Sequence, residues 1–222
     1  MLKNLFFLVV IASACVFTPH LTFAANANKT KILTKEFNAK ETFSLHSSDL
    51  RTLMLALYEC QPQALQKSTK VSKEEFVQWV FEGPFGWQFD AIKNTKTIEA
   101  LKLSFSQEYQ GDRVLPLITG LYTMLLQAYG GKNEYTFEAA NPQKLTIATQ
   151  NIDISAAKLL SAEQEKSVAE VNENCRTNIK QILNRIAQRT EADARGISSY
   201  TPTGNRLNPF QMDANTLEFI PL

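Results

Sequence analysis

The sequence predicts an all-α fold, an irregular bundle of about five or six helices around a central apolar helix, with an irregular C-terminal tail. Three observations carry this. Apolar residues recur every three or four positions through most of the chain, as in Leu50, Leu53, Met54, Leu57 and Tyr58. A run from Val114 to Tyr129 holds no charged residue, which predicts a helix buried nearly all round. Helix-start signals precede several of these segments, among them Ser72-Lys73-Glu74-Glu75 and Asn141-Pro142.

The elements follow in chain order. Met1-Leu2-Lys3-Asn4 carries one positive charge, Leu5 to Phe17 is almost wholly apolar, and Thr22-Phe23-Ala24 places small residues where a signal peptidase reads. Residues 1–24 therefore read as a secretory signal peptide, cleaved after Ala24. A second exit stays open. Ala12-Ser13-Ala14-Cys15 loosely matches a lipobox, and lipidation of Cys15 would anchor the chain to a membrane. The apolar run is shorter than the ~20 residues a bilayer span requires. Residues 25–46 are polar and weakly periodic and read as a flexible lead-in, with a short extended piece at 31–37.

A single helical domain is expected over 47–222. Ser47-Ser48-Asp49 are good cap residues for a first helix, and Pro62 ends or restarts it. Ser72 to Glu75 forms a capping box before Phe76, Val77, Trp79 and Val80, and Gly83-Pro84 stops that helix. Ile98, Leu101 and Phe105 predict another helix, ending near Gly111. Asp112 caps the central helix over 113–129. Pro116 is tolerable in its first turn, and Gly120 lets a neighbour approach closely. Gly130-Gly131 is its C-terminal stop. Leu145, Ala148, Ile152, Ala156 and Leu159 line the helix opened by Asn141-Pro142. A longer helix capped by Ser161 runs to about residue 194, with Val168, Val171, Cys175, Ile179, Ile182 and Ile186 inward. Gly196 ends it, and the tail from residue 197 is broken by Pro202, Gly204 and Pro209.

Charge and cysteines narrow the function. The chain has 23 Lys+Arg and 22 Asp+Glu; loss of Lys3 with the signal leaves 22 against 22. Such a balance lacks the basic footprint of a nucleic-acid binder, and no basic run suits an anionic lipid surface. Signal cleavage leaves two cysteines, Cys60 and Cys175, and an exported isolated pair predicts a disulfide.

Catalytic constellations are thin. His46 is the one histidine after the signal, which argues against Ser-His-Asp and zinc chemistry, and it reads as an exposed residue before a cap. Gly130-Gly131-Lys132 lacks the upstream glycine and the Ser/Thr of a phosphate loop and reads as a helix stop, or as a surface loop for contact. Glu74/Glu75 and Glu163/Glu165 sit in first turns and complement the helix dipole. Asp90 with Glu108 or Asp112 is the one carboxylate pairing a hydrolase would need to bring across a cleft. No metal and no cofactor is expected. The aromatic cluster Phe76, Trp79, Phe81, Phe85, Trp87 and Phe89 is the candidate binding surface, with a core corner as the alternative.

A resemblance enters at Asp112-Arg113-Val114, Gly120-Leu121, Met124, Ala128-Tyr129-Gly130-Gly131-Lys132 and Glu134-Tyr135. Asn141-Pro142-Gln143-Lys144-Leu145, Asn151-Ile152 and, more loosely, Phe219-Ile220-Pro221-Leu222 continue it. The middle third resembles a family of exported proteins and predicted lipoproteins of gammaproteobacteria. The resemblance implies a helical envelope protein and brings no activity with it. The expectation is a non-enzymatic, exported cell-envelope protein acting through contacts with another envelope protein. The alternatives are a periplasmic small-ligand or glycan binder using the aromatic corner 76–89, and a carboxylate-based hydrolase. Oligomeric state stays open.

Overall fold

Helix α1 (Ala39–Cys60) starts where Asn38 turns its side-chain oxygen onto the Glu41 N–H, at 3.1 Å. The computed structural model describes residues 37–161 and 173–200. The signal segment, Cys15, most of the lead-in, the Ser161-capped start with Val168 and Val171, and the tail beyond residue 200 lie outside the described residues. Within them the chain is all-α, with seven α-helices around one core.

The lead-in expected through residue 46 gives way to helix at Ala39. The buried stripe of α1 begins at Phe43 and His46 and runs on through Leu50, Leu53 and Leu57. Ser47-Ser48-Asp49 is thus helix interior, and the true cap lies nine residues earlier, at Asn38. Gln61 breaks α1, and Pro62 restarts the chain as α2 (Pro62–Ser68). In α3 (Lys73–Glu82) the Ser72 hydroxyl accepts the Glu75 N–H at 3.2 Å, as the capping box predicts.

A single 3-10 turn at Asp90–Ile92 precedes α4 (Thr97–Phe105). This helix ends earlier than Gly111, because Ser106 turns extended. The Arg113 guanidinium then clamps the exit, donating to the carbonyls of Ser104 and Tyr109 at 3.1 Å each.

Helix α5 (Val114–Ala128) is the central apolar element, and every residue from Val114 to Leu126 is buried. Asp112 caps it from inside the protein: one oxygen accepts the Val114 N–H, the other the hydroxyls of Tyr58 and Ser68. Gly120 sits against α4. A Cβ there would fall 2.9 Å from the Leu101 backbone nitrogen and closer to the Leu101 side chain. Alanine would gain about 1 kcal/mol of helix propensity but cost about 1–3 kcal/mol in overpacking, so the close approach decides the residue.

Asn141 caps α6 (Pro142–Leu159) by accepting the Lys144 N–H at 3.0 Å. Leu145, Ala148 and Ile152 of α6 are fully buried. Helix α7 (Glu173–Tyr200) packs against α6 and α1 through Ile179, Ile182, Leu183 and Ile186. It passes through Gly196, where a Cβ would meet open space, so the expected stop and the tail from residue 197 both begin too early. Cys60 and Cys175 meet at disulfide distance, with Cα atoms 6.0 Å apart across 115 residues of sequence. The bridge fastens the end of α1 to the start of α7. Among the described residues, no helix is long and apolar enough to cross a membrane.

Candidate functional site

The aromatic corner is built by a helix stop that cannot be smooth. At the end of α3 the Gly83 N–H donates to the Trp79 carbonyl at 2.8 Å. A Cβ on Gly83 would lie 2.3 Å from that oxygen and 2.5 Å from the Phe85 ring. Gly86 and Trp87 then take φ of 56° and 60°. Left-handed backbone is free for glycine and costs a bulky residue about 1–3 kcal/mol. Lys93, Asn94 and Thr97 are left-handed too, the last a β-branched residue with φ 45°. The Thr97 N–H is compensated by the Thr123 hydroxyl of α5, at 2.8 Å.

The strained turn drives Trp87 inward. Its ring stacks on Tyr122 of α5 with centroids 3.6 Å apart, and Phe81 and Phe89 meet it edge-on. The candidate surface residues therefore divide. Trp87 is 5% exposed and belongs to a core corner, with Phe81 and Phe89 half-buried around it. Trp79 and Phe85 are 45% and 47% exposed and face outward. Phe76 packs half-buried against Tyr58.

A second wall comes from the turn after α5. The Gly130 and Gly131 N–H groups donate back to the Gln127 and Leu126 carbonyls, at 3.0 and 2.8 Å. With Gly130 at φ 78° this is a Schellman stop, so the Gly130-Gly131-Lys132 stretch is a helix C-cap. The chain returns on itself through a Gly131–Phe137 bridge, and Asn133 accepts the N–H groups of Tyr135 and Thr136 at 2.9 Å each.

Glu134 joins the two walls. One of its oxygens accepts both the Trp87 indole N–H, at 3.0 Å, and the Tyr122 hydroxyl, at 2.9 Å. Burial and that carboxylate push the Tyr122 phenol well above its ordinary range. Between the walls lies a cleft of about 370 Å³, within the ~300–1,000 Å³ usual for small-ligand sites. Phe81, Pro84, Trp87 and Leu126 supply its apolar lining; Lys96, Gln127, Lys132 and Glu134 supply polar groups. Tyr135, also in the lining, is 80% exposed.

A different polar cluster lies between α1, α7 and the turn after α5, with His46 and Tyr129 at its buried centre and Arg185, half exposed, at its edge. His46 is fully buried there, against the expectation of an exposed cap residue. The arginine fixes its tautomer. Arg189 donates toward Nδ1 at 3.4 Å, so the proton sits on Nε2 and is donated to the Tyr129 oxygen at 2.8 Å. The Tyr129 hydroxyl donates in turn to Asp193 at 2.7 Å. Burial, reinforced by the Arg189 charge, lowers the His46 pKa to about 3. Asp49, held below the usual carboxylate range by Arg185 and Arg189, closes the cluster from α1.

Of the carboxylates weighed for hydrolysis, Glu108 is exposed and Asp112 is turned inward. Asp112 is 2% exposed and its oxygens serve Tyr58, Ser68 and the cap of α5. Asp90 accepts from Asn94 at 3.1 Å. Among the described residues, no group of three or more His, Cys, Asp or Glu is placed to hold a metal ion. The cleft itself escaped the sequence reading: Trp87 and Glu134 stand 47 residues apart, and no local pattern joins them. Comparison of the chain with protein-family models, with curated proteins and with solved structures finds no match.

Proposed function

We propose that this chain is a non-catalytic binding protein of the cell envelope, and that it recognises its ligand in the cleft between the 83–87 turn and the 131–135 loop. One observation carries the reading. Glu134 ties both walls to the aromatic floor, so the cleft is formed before any ligand arrives. A pre-formed site does not spend binding energy on ordering its loops. Phe85 and Tyr135 stand exposed beside it, where aromatic contact area costs little conformational entropy.

Export is supported by the signal-like first 24 residues and by the pairing of Cys60 with Cys175, since such pairs persist outside the reducing cytosol. The mature chain would start after Ala24 or hang from an acylated Cys15. The hydrolase alternative loses support from the burial of Asp112. Contact with another envelope protein is a second reading, favoured by the exposure of Trp79 and Phe85 on the same corner.

The test is site-specific photo-crosslinking in the intact envelope. A photoreactive residue at Tyr135 should capture a ligand or partner, and one at the exposed Lys180 on α7 should not. Equal capture at both positions, or none at Tyr135, overturns the assignment of the cleft.

A further inference from the structure

We infer that the cleft takes an uncharged saccharide, a proposal that rests on the reading of the cleft as the recognition site. Three ionised side chains line the cleft, and each is already engaged within the protein. Lys96 donates to the Gly86 carbonyl at 3.0 Å, and Lys132 pairs with Glu138 at 2.5 Å. Glu134 holds the Trp87 indole and the Tyr122 hydroxyl. Lys96 and Lys132 are offset by Glu134 and Glu138, so the cleft offers an ionic ligand no net charge to pair with. A neutral ligand leaves these pairings intact.

Polarity narrows the class further. The lining alternates apolar rings with groups that both donate and accept, the amides of Gln127 and Asn133 among them. A purely apolar ligand would strand those groups; a wholly polar one would waste the rings. A pyranose answers both demands. Its hydroxyls donate and accept around the edge, and the C–H bonds on one face make it apolar there. The Tyr135 ring, 80% exposed at the cleft, is the surface on which that face can lie. The half-open form of the cleft suits a residue within an oligosaccharide, whose neighbours must run out to solvent.

The experiment is titration of the non-reduced protein with a panel of neutral oligosaccharides of glucose, mannose, galactose and N-acetylglucosamine. Calorimetry and tryptophan fluorescence report binding. At least one sugar should bind saturably, with an affinity unchanged between low and high salt. Tyr135→Ala should weaken it about tenfold, and Tyr135→Phe, which keeps the ring, by no more than about twofold. Binding that ignores Tyr135→Ala, or that falls steeply with salt, overturns the proposal. So does silence across the whole panel. A capped, uncharged tripeptide serves as the competing probe. Should it bind with the Tyr135 dependence while no sugar does, the saccharide is wrong and the cleft stands. Should Tyr135 also capture nothing in the envelope, the cleft itself is wrong.

Discussion

Tyr122 in α5 and Tyr129 just past its end lie seven residues apart, each buried beside a carboxylate, yet different elements cover them. Both rings pack against Phe43 of α1. Both hydroxyls donate to an acid, Glu134 in one case and Asp193 in the other. Around Tyr129 the buried His46 ring and Asp193 take up the hydroxyl, and Arg185 and Arg189 pair with Asp49 beside them. Around Tyr122, itself 2% exposed, Trp87 and Glu134 from the two loops cover the ring, and it is these covering residues that line the cleft. The two tyrosine–carboxylate pairs thus differ in what covers them: Asp193 and its neighbours on α7 over Tyr129, and the loop residues Trp87 and Glu134 over Tyr122.

Three perturbations test that contrast. The largest concerns the fastening of α7. Reducing the Cys60–Cys175 bridge frees a 115-residue loop, worth about 4–5 kcal/mol on the chain-entropy account. The melting temperature should fall sharply on adding reductant, and an unchanged value would show that the bridge contributes nothing to α7 docking.

Next comes acid. The native state holds His46 neutral down to about pH 3, whereas the unfolded chain protonates it near 6.5. At His46 the unfolded state therefore binds more protons between these values, so this residue contributes a loss of stability as pH drops from 6.5 toward 3. Denaturant midpoints across this window should show the slope. His46→Gln, which keeps an N–H for Tyr129 but does not titrate, should flatten it; an identical slope would mean other groups carry it.

The smallest effect is the most direct comparison. Tyr129→Phe strands the N–H of the fully buried His46 and should cost about 2–3 kcal/mol. Tyr122→Phe leaves Glu134 with the Trp87 indole and access to water, so about 1 kcal/mol or less is expected. Equal losses in chemical denaturation would erase the distinction between the two tyrosines.

Local features of the fold were legible. The charge-free run announced α5, Ser72 and Asn141 announced their helices, and an isolated cysteine pair in a chain read as exported announced the bridge. The misreading at α1 has a physical cause. Ser47-Ser48-Asp49 has ideal capping chemistry, yet Asp49 uses its carboxylate on arginines of α7 more than 130 residues away. Phe43, His46 and Leu50 already stepped at helical spacing, but a histidine in an apolar stripe looks like a break until its partners are seen. The cleft was invisible for the same reason. Its walls are two loops with no period, and Glu134, the residue that joins them, gives no signal until the indole beside it is found.

The donor chain through His46 leaves α7 at Arg189, crosses α1 and α5, and re-enters α7 at Asp193, one turn further on. It works as a key cut for one position. If α7 slid along its neighbours by a single turn, about 5.4 Å, His46 and Tyr129 would face the wrong residues and every link would open together. Apolar stripes alone repeat often enough to tolerate such a slip. The polar circuit does not repeat, so it gives the bundle one register where oil-like packing would permit several.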